Sequence, residues 1–208
     1  MFRMMRTCTT ILTYVVLLTG LWLNGARAAD APGSGRHLGG QLLVAAPKLT
    51  DPNFSETVIV MIDHNAGGAM GLVVNRSMGE GNLKALLEGF GIESEEASGT
   101  VRLHSGGPVE RDRGFILHST DYTGPSTKAI NDEIAVSSGR DILSAIGAGE
   151  GPREARFILG YAGWGAGQLE SEMAREDWLT APADPSLVFS EDLDAIWQGA
   201  IDSGGLAL

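Results

Sequence analysis

His64 and Arg76 are the residues whose types and positions best fit chemistry in this sequence. His64 lies in the glycine-rich segment 63–71. It could act as a general base, or contact an anion together with the amides of Gly67 and Gly68, which would form a nest. Arg76 follows the next apolar run and could bind a carboxylate or phosphate through two parallel hydrogen bonds. Each also has a structural interpretation: His64 could cap a tight hairpin, and Arg76 could form an ion pair.

Three histidines could in principle converge on a metal ion. They are His64, His104 and His118, and none of them stands at the i, i+4 or His-x-His spacing that helical and strand metal sites use. The single cysteine of the chain, Cys8, lies near the N-terminus. We therefore expect neither a metal site nor a cofactor.

A hydrolase is the enzymatic alternative. Such an enzyme would use His64 or His118 as its general base and Arg76 to hold an anionic group. Ser105, which precedes Gly106-Gly107, is a weak candidate nucleophile, since the sequence contains no Gly-x-Ser-x-Gly elbow. No residue is assigned a catalytic role on this basis.

Glycines and aromatic residues alternate between positions 160 and 170, directly after the apolar run 157–159. Glycines in such density indicate positive φ angles or a close approach of the backbone. We expect a loop here, in which Tyr161 and Trp164 either anchor the core or form one wall of a pocket. The ligand-binding candidates are therefore His64, Gly67, Gly68, Arg76, His118, Tyr161 and Trp164.

Short apolar runs alternate with segments of helical periodicity along the rest of the chain. The pattern predicts strands at 41–45, 57–63, 71–75, 101–103, 114–118, 133–136, 156–159 and 187–189. It predicts helices at 83–90, at 138–146 with Ser138 as the cap, after the glycine-rich run, and at 190–201 with Ser190 as the cap. The run 58–62 is apolar throughout, which indicates a strand buried on both faces. No regular β-α-β rhythm is present, and this favours an α+β fold.

The first 28 residues are predicted to form a secretory signal peptide. Arg3 and Arg6 precede an apolar stretch at 11–23, and Ala26-Arg27-Ala28 has the form of a cleavage site. A retained N-terminal anchor is the alternative. The predicted organisation is a signal peptide at 1–28, a flexible leader at 29–37 and one folded domain at 38–208. We expect a periplasmic or secreted protein, which would be cytoplasmic only if this segment is not an export signal.

Charge and cysteine content narrow the possible partners. Removal of residues 1–28 leaves 12 Lys+Arg against 26 Asp+Glu, a formal charge of −14. Phosphate backbones are bound by clustered basic residues, so we expect no nucleic-acid partner and, after cleavage, no membrane association. The cleaved chain would hold no disulfide and no thiol nucleophile. A small molecule or another protein is the expected partner, and the sequence leaves the oligomeric state open.

Seven short motifs, taken in order, resemble the AlgH family of bacterial proteins over nearly all of residues 38–205. The resemblance implies an α+β domain with a bifurcated, pseudo-barrel sheet flanked by helices. It brings no assigned catalytic residues. Members are often labelled transcriptional regulators. The motifs are Gly40–Pro47, Asp51–Phe54 with Thr57-Val58, His64–Arg76, Gly106–Val109, Arg113–His118, Gly160–Glu170 and Trp178-Leu179.

The chain departs from the family pattern in two ways. Ser77 stands where members commonly have proline, and the family usually begins near Leu38 without an export signal. Export and the negative charge both argue against DNA regulation here. The favoured hypothesis is an exported, non-catalytic module that binds a ligand or a partner, followed by the hydrolase and then by the regulator. A pocket that brings together His64, Arg76, His118 and Trp164 would favour a ligand site or an enzyme.

Overall fold

The computed structural model describes residues 37–204. The predicted signal peptide and all of the predicted leader except His37 lie outside the described residues. No helix in the described part of the chain is long and apolar enough to cross a membrane. The elements in chain order are β1 Gln41–Ala45, β2 Val58–Asn65, β3 Gly68–Val73, β4 Ser77–Asn82, α1 Leu83–Gly89, β5 Thr100–Ser105, β6 Val109–Ser119, β7 Thr127–Ala129, β8 Ile134–Ser137, α2 Arg140–Gly147, β9 Ala155–Gly165, α3 Gln168–Ala174, β10 Trp178–Pro182, α4 Pro185–Val188 and α5 Leu193–Asp202.

The strands form one curled sheet that divides at β9. Its main path runs β10-β1-β2-β3-β9-β6-β8-β7, and β5 and β4 branch from it at β9. The first half of β9 pairs parallel with β5, at Phe157 against Leu103, and antiparallel with β6. The second half pairs antiparallel with β3, at Ala162 against Gly71. This mixed α+β architecture, a half-barrel sheet flanked by helices, confirms the predicted fold class.

The central strand β2 is buried on both faces, as its apolar run predicted. Val58 through Met61 are fully buried, and alternate residues enter different clusters. Val58 and Val60 pack in the cluster that contains Ile196 of α5. Ile59 and Met61 pack on the other side, in the cluster that contains Trp164 and Trp178. Burial on both sides favours a continuous apolar strand over an alternating one.

Gly106 connects the two halves of the sheet at the point where it divides. Its N–H donates to the Leu159 carbonyl at 2.8 Å, and its own carbonyl accepts from Val73 N–H at 3.0 Å. A Cβ atom at this position would overlap the Gly160 carbonyl oxygen and would lie 2.5 Å from Ile158 Cγ2. Gly160 opposite it has a φ of +72°. Glycine is required here because two backbones approach more closely than a side chain permits.

Two predictions of local structure were wrong. Residues 160–165 form the second half of β9 rather than a loop, because β3 supplies a pairing partner that is remote in sequence. Residues 187–189 were predicted as a strand, but they belong to or directly follow α4. Asp184 caps that helix with its side chain, and Pro185 occupies the first turn, where its missing N–H costs nothing.

Further differences concern helix caps and weakly patterned strands. The caps of α2 and α5 are Gly139 and Asp192, each one or two residues beyond the predicted serine. Strands β4, β7 and β10 were not predicted. β4 is Ser-Met-Gly-Glu-Gly-Asn, largely exposed and without apolar alternation, so its strand conformation depends on pairing with β5.

Candidate functional site

Asn75 and Arg76 fix the preceding loop to the end of β3. The Asn75 side chain accepts from Val58 N–H at 2.9 Å and donates to the Glu56 carbonyl at 2.8 Å. Arg76 Nη2 donates to the Ser55 carbonyl at 2.7 Å. The arginine thus binds a backbone carbonyl rather than a carboxylate, so the ion pair considered from sequence is not formed. One of its five N–H donors is used in this contact.

Beside this loop lies a cleft of about 290 Å³, which we call the arginine cleft. Four parts of the chain line it: Pro52 and Asn53, then Val73 with Arg76–Met78, then Ser105, Gly107, Pro108 and Arg111, and finally Leu159 of β9. Its polar lining includes Asn53, Arg76, Ser77, Ser105 and Arg111, and no aspartate, glutamate or histidine is among the lining residues.

A β-bulge places Arg111 in this cleft. The register between β6 and β9 shifts between Val109 and Gly114, and Glu110 has a φ of +45°. Bulges of this kind redirect the side chains that follow them. The exposed side chain of Arg111 makes no hydrogen bond or ion pair among residues 37–204, whereas Arg113 on the same strand pairs with Glu110 at 3.1 Å. Arg111 therefore presents a guanidinium without a carboxylate partner to the cleft.

His64 lies within β2 rather than on the turn. The ring is buried, and both of its nitrogens have partners in the protein. Nε2 lies 3.0 Å from Glu170 Oε1, and Leu38 N–H donates to Nδ1 at 3.3 Å. A neutral ring that donates from Nε2 satisfies both contacts. The pKa of Glu170 is lowered, first by its own helical amide and then by His64. His64 thereby links residue 38 to α3.

Gly67 and Gly68 serve the β2–β3 hairpin. The Gly67 amide donates to Asn65 Oδ1 at 2.8 Å, so one of the two amides of the expected nest is already used. Gly68 has a φ of +137°, and a Cβ atom there would overlap the Trp164 carbonyl oxygen. This is the close approach of β3 to β9 for which glycine is needed.

His118 is fully buried in β6. Its Nδ1 lies 2.8 Å from the Ser119 carbonyl and its Nε2 lies 3.0 Å from Ser137 Oγ. The carbonyl contact requires a proton on Nδ1, so Nε2 accepts from the serine hydroxyl. Burial lowers the pKa of His118, which favours the neutral ring. In this arrangement the ring is part of a polar network in the core and does not line the arginine cleft.

Tyr161 and Trp164 act as anchors of the sheet. Trp164 Nε1 donates to Glu172 Oε2 at 2.8 Å, and Trp178 Nε1 donates to the same oxygen at 2.9 Å. Tyr161 packs against Phe115 and donates to Glu110 Oε1 at 3.1 Å. Trp164 is buried and Tyr161 is half-buried, and Trp164 also lines an open cleft beside the β2–β3 hairpin.

The structure therefore separates the residues that the sequence singled out. His64, Gly67, Gly68 and Trp164 lie around the β2–β3 hairpin and the end of β9, where Gly67, Gly68 and Trp164 line one open cleft. His118 lies in β6, where it pairs with Ala135 of β8. Arg76 alone of the candidates lines the arginine cleft. Sequence reasoning missed Arg111, Asn53 and Ser105 as its partners. The available signal was their position beside the motifs Asp51–Phe54 and Gly106–Val109, which the fold brings together.

His104 lies near the sheet division but faces a different cleft. Burial, and then the nearby Arg156 guanidinium, lower its pKa to about 4. The ring is thus neutral over the physiological range. Across residues 37–204, no group of three or more His, Cys, Asp or Glu side chains is placed to hold a metal ion.

The forked half-barrel sheet and its flanking helices define a mixed α+β protein that carries a cationic cleft. A family model described as AlgH-like (DUF179) matches residues 42–208. The chain belongs to this AlgH-like family, as the motif order predicted.

Individual relatives agree with this assignment. A UPF0301 protein of Methylococcus capsulatus is 49% identical over 182 residues, covering 88% of this chain and 100% of the relative. The solution structure of the AlgH protein from Pseudomonas aeruginosa is similar, with a TM-score of 0.69 and 40% identity over 83% of this chain and 92% of that one. A crystal structure from Corynebacterium diphtheriae shares the fold, with a TM-score of 0.60 and 20% identity over 77% of this chain and 83% of that one.

Proposed function

We propose that this protein is an exported, non-catalytic binding protein that holds a small anionic ligand in the arginine cleft. One observation carries the proposal: Arg76 and Arg111 line a cleft that has no carboxylate in its lining, in a chain with 26 acidic and 15 basic residues. Four arginines among residues 37–204 pair with carboxylates, as Arg153 does with Asp121 at 3.0 Å, whereas Arg76 and Arg111 do not. A pair without them is suited to a carboxylate or phosphate supplied by a ligand.

The cleft is built to bind rather than to catalyse. Arg76 is held by the Ser55 carbonyl, on the side where Arg76 also lines a second cleft with Glu56 and Asp194, and Arg111 follows the register shift in β6. Fixed donors reduce the entropy lost on binding. None of the histidines lines the cleft, so the hydrolase alternative lacks a general base there. The regulator alternative is disfavoured by the acidic charge, which opposes binding to phosphate backbones.

Thermal unfolding in different anions tests this function. We expect inorganic phosphate to raise the midpoint in a saturable way, because a ligand that binds only the folded state stabilises it. Sodium chloride at equal ionic strength is the control for screening. Equal midpoints in the two salts over the whole titration would contradict the proposal.

The proposal that the protein is exported rests on the sequence pattern of the first 28 residues. Cell fractionation tests this proposal. In the native host, we expect the mature chain to be recovered in the periplasmic or secreted fraction with Ala29 as its first residue. Replacement of Ala26 and Ala28 by bulky residues should leave the N-terminal segment attached, since the cleavage site requires small side chains. Recovery of the wild-type chain from the cytosol with residues 1–28 intact would contradict export.

A further inference from the structure

An apolar cavity of about 160 Å³ adjoins the arginine cleft. It lies between α1, α2 and the face of β5, β9 and β6, and its lining includes Leu86, Phe90, Leu103, Phe115 and Phe157. Leu159 of β9 lines both the cavity and the arginine cleft. Leu159 is thus common to both linings, and the two volumes added together fall within the ~300–1,000 Å³ typical of small-molecule sites.

Gly114 opens the cavity. It pairs with Leu159 across the β6–β9 ladder. A Cβ atom on Gly114 would lie 3.8 Å from Phe90 Cζ and 4.0 Å from Leu159 Cδ2, which are ordinary van der Waals distances. Gly114 has no positive φ, so the backbone does not demand glycine there. The missing side chain leaves space between Phe90 and Leu159.

Exposed apolar side chains border the same two spaces. Among residues 37–204, the exposed large hydrophobic residues are Met78 and Phe90. Met78 lines the arginine cleft and Phe90 lines the cavity. A ligand that occupied both spaces would cover both of these side chains.

The charges near the cavity indicate how a bound ligand is oriented. Arg113 and Arg140 also line the cavity, but Arg113 pairs with Glu110 at 3.1 Å and Arg140 donates to the Gly91 carbonyl at 2.6 Å. Arg111 has no such partner among the described residues. An anionic group is therefore expected in the arginine cleft, and an apolar group beyond Leu159.

From this arrangement we propose that the ligand is a single-chain anionic amphiphile. Its phosphate or carboxylate head lies between Arg76 and Arg111, and its alkyl chain passes over Leu159 into the cavity under Phe90. This inference rests on the proposed function, since it assigns the anionic head to the same cleft and adds an alkyl chain to the ligand.

Calorimetric titration with inorganic phosphate and with butyl, hexyl and octyl phosphate, all below their micelle concentrations, tests the inference on the purified protein. Each methylene buried in the cavity should tighten binding about threefold to fourfold. In Gly114→Val the added side chain fills the cavity, so the affinities of the alkyl phosphates should fall to that of inorganic phosphate, which should still bind. Gly81→Val is the control, since a Cβ on Gly81 meets no atom within 4 Å.

The outcomes separate the two proposals. If inorganic phosphate binds and chain length has no effect on the wild-type protein, the amphiphile is wrong and the anion site stands. If inorganic phosphate fails to bind, the proposed function fails. Should Gly114→Val fail to fold, Gly114→Ala gives the same test, with a smaller loss for the longest chain. An unchanged chain-length series in a folded Gly114 variant would also overturn the inference, as would binding to anionic phospholipid vesicles without binding of monomeric alkyl phosphates.

Discussion

Gly106→Ala is expected to destabilise the protein by roughly 3 kcal/mol, near the upper end of what overpacking costs. The added methyl would overlap the Gly160 carbonyl oxygen and crowd Ile158 Cγ2 at 2.5 Å. Backbone atoms cannot rotate away as a side chain can. Relief would require β9 to move from Gly106, which would break the bonds to Leu159 and Val73 that join the two halves of the sheet. Urea unfolding followed by circular dichroism measures the loss.

Gly81→Ala is the matched control for this substitution. Gly81 also has no positive φ, and its Cβ would meet no atom within 4 Å. We expect no loss of stability there, and a small gain through a less flexible unfolded chain. Similar stability of the Gly106→Ala and Gly81→Ala proteins would show that the close approach at the sheet division is not needed for the fold.

Arg111→Ala is expected to weaken anion binding by about 1.5–3 kcal/mol, or roughly 10- to 100-fold, the range for a hydrogen bond to a charged group. The exposed Arg111 side chain makes no hydrogen bond or ion pair with the rest of residues 37–204, so stability should change little. Arg111→Lys should give an intermediate affinity, because an ammonium keeps the charge and loses the fork of paired donors. Calorimetric titration with phosphate measures each variant.

Lys84→Ala is the control for net charge. Lys84 is exposed on α1, has no ion pair in the described part of the chain and lines none of the clefts described above. The Lys84→Ala substitution removes the same unit of positive charge as Arg111→Ala and should leave the phosphate affinity unchanged. Equal weakening in Lys84→Ala and Arg111→Ala would mean that phosphate responds to the overall field rather than to the cleft.

Much of the fold could be predicted from the local pattern of apolar residues in the sequence. The apolar run of β2 predicts a strand buried on both faces, and the periodicity at 83–90 and 193–201 predicts α1 and α5, all of which the structure contains. These elements were predictable because their own side chains determine both conformation and burial. The order of the family motifs then indicated the half-barrel architecture.

Long-range pairing explains what the sequence could not show. Residues 160–165 have the glycine density of a loop, and they become a strand because β3, about 90 positions earlier in the chain, pairs with them. Glu170 was only the last residue of the Gly160–Glu170 motif in the sequence, yet it bonds to His64, 106 residues away. Such contacts depend on tertiary structure and leave no mark on local spacing.

The residues of the arginine cleft were harder to predict from the sequence than the strands and helices. Arg76 was a candidate from its type and its place after a strand. Arg111 stands beside the Gly106–Val109 motif, but its direction depends on the bulge at Glu110, and bulges are set by pairing between strands. The histidines were candidates because an imidazole can act as a general base. The structure gives His64 and His118 partners within the protein, which a reading of residue types alone does not predict.

The central claim is that the arginine cleft binds anions. A nitrogen-15 NMR titration with phosphate tests this claim most directly. The largest saturable shifts should fall on the backbone amides of Asn53, Ser77, Ser105 and Gly107 and on the side-chain Nε of Arg76 and Arg111. The amides around His64 and His118, which lie outside the cleft, should change little. Saturable shifts centred on the β2–β3 hairpin instead, or no saturable shift at all, would contradict the claim.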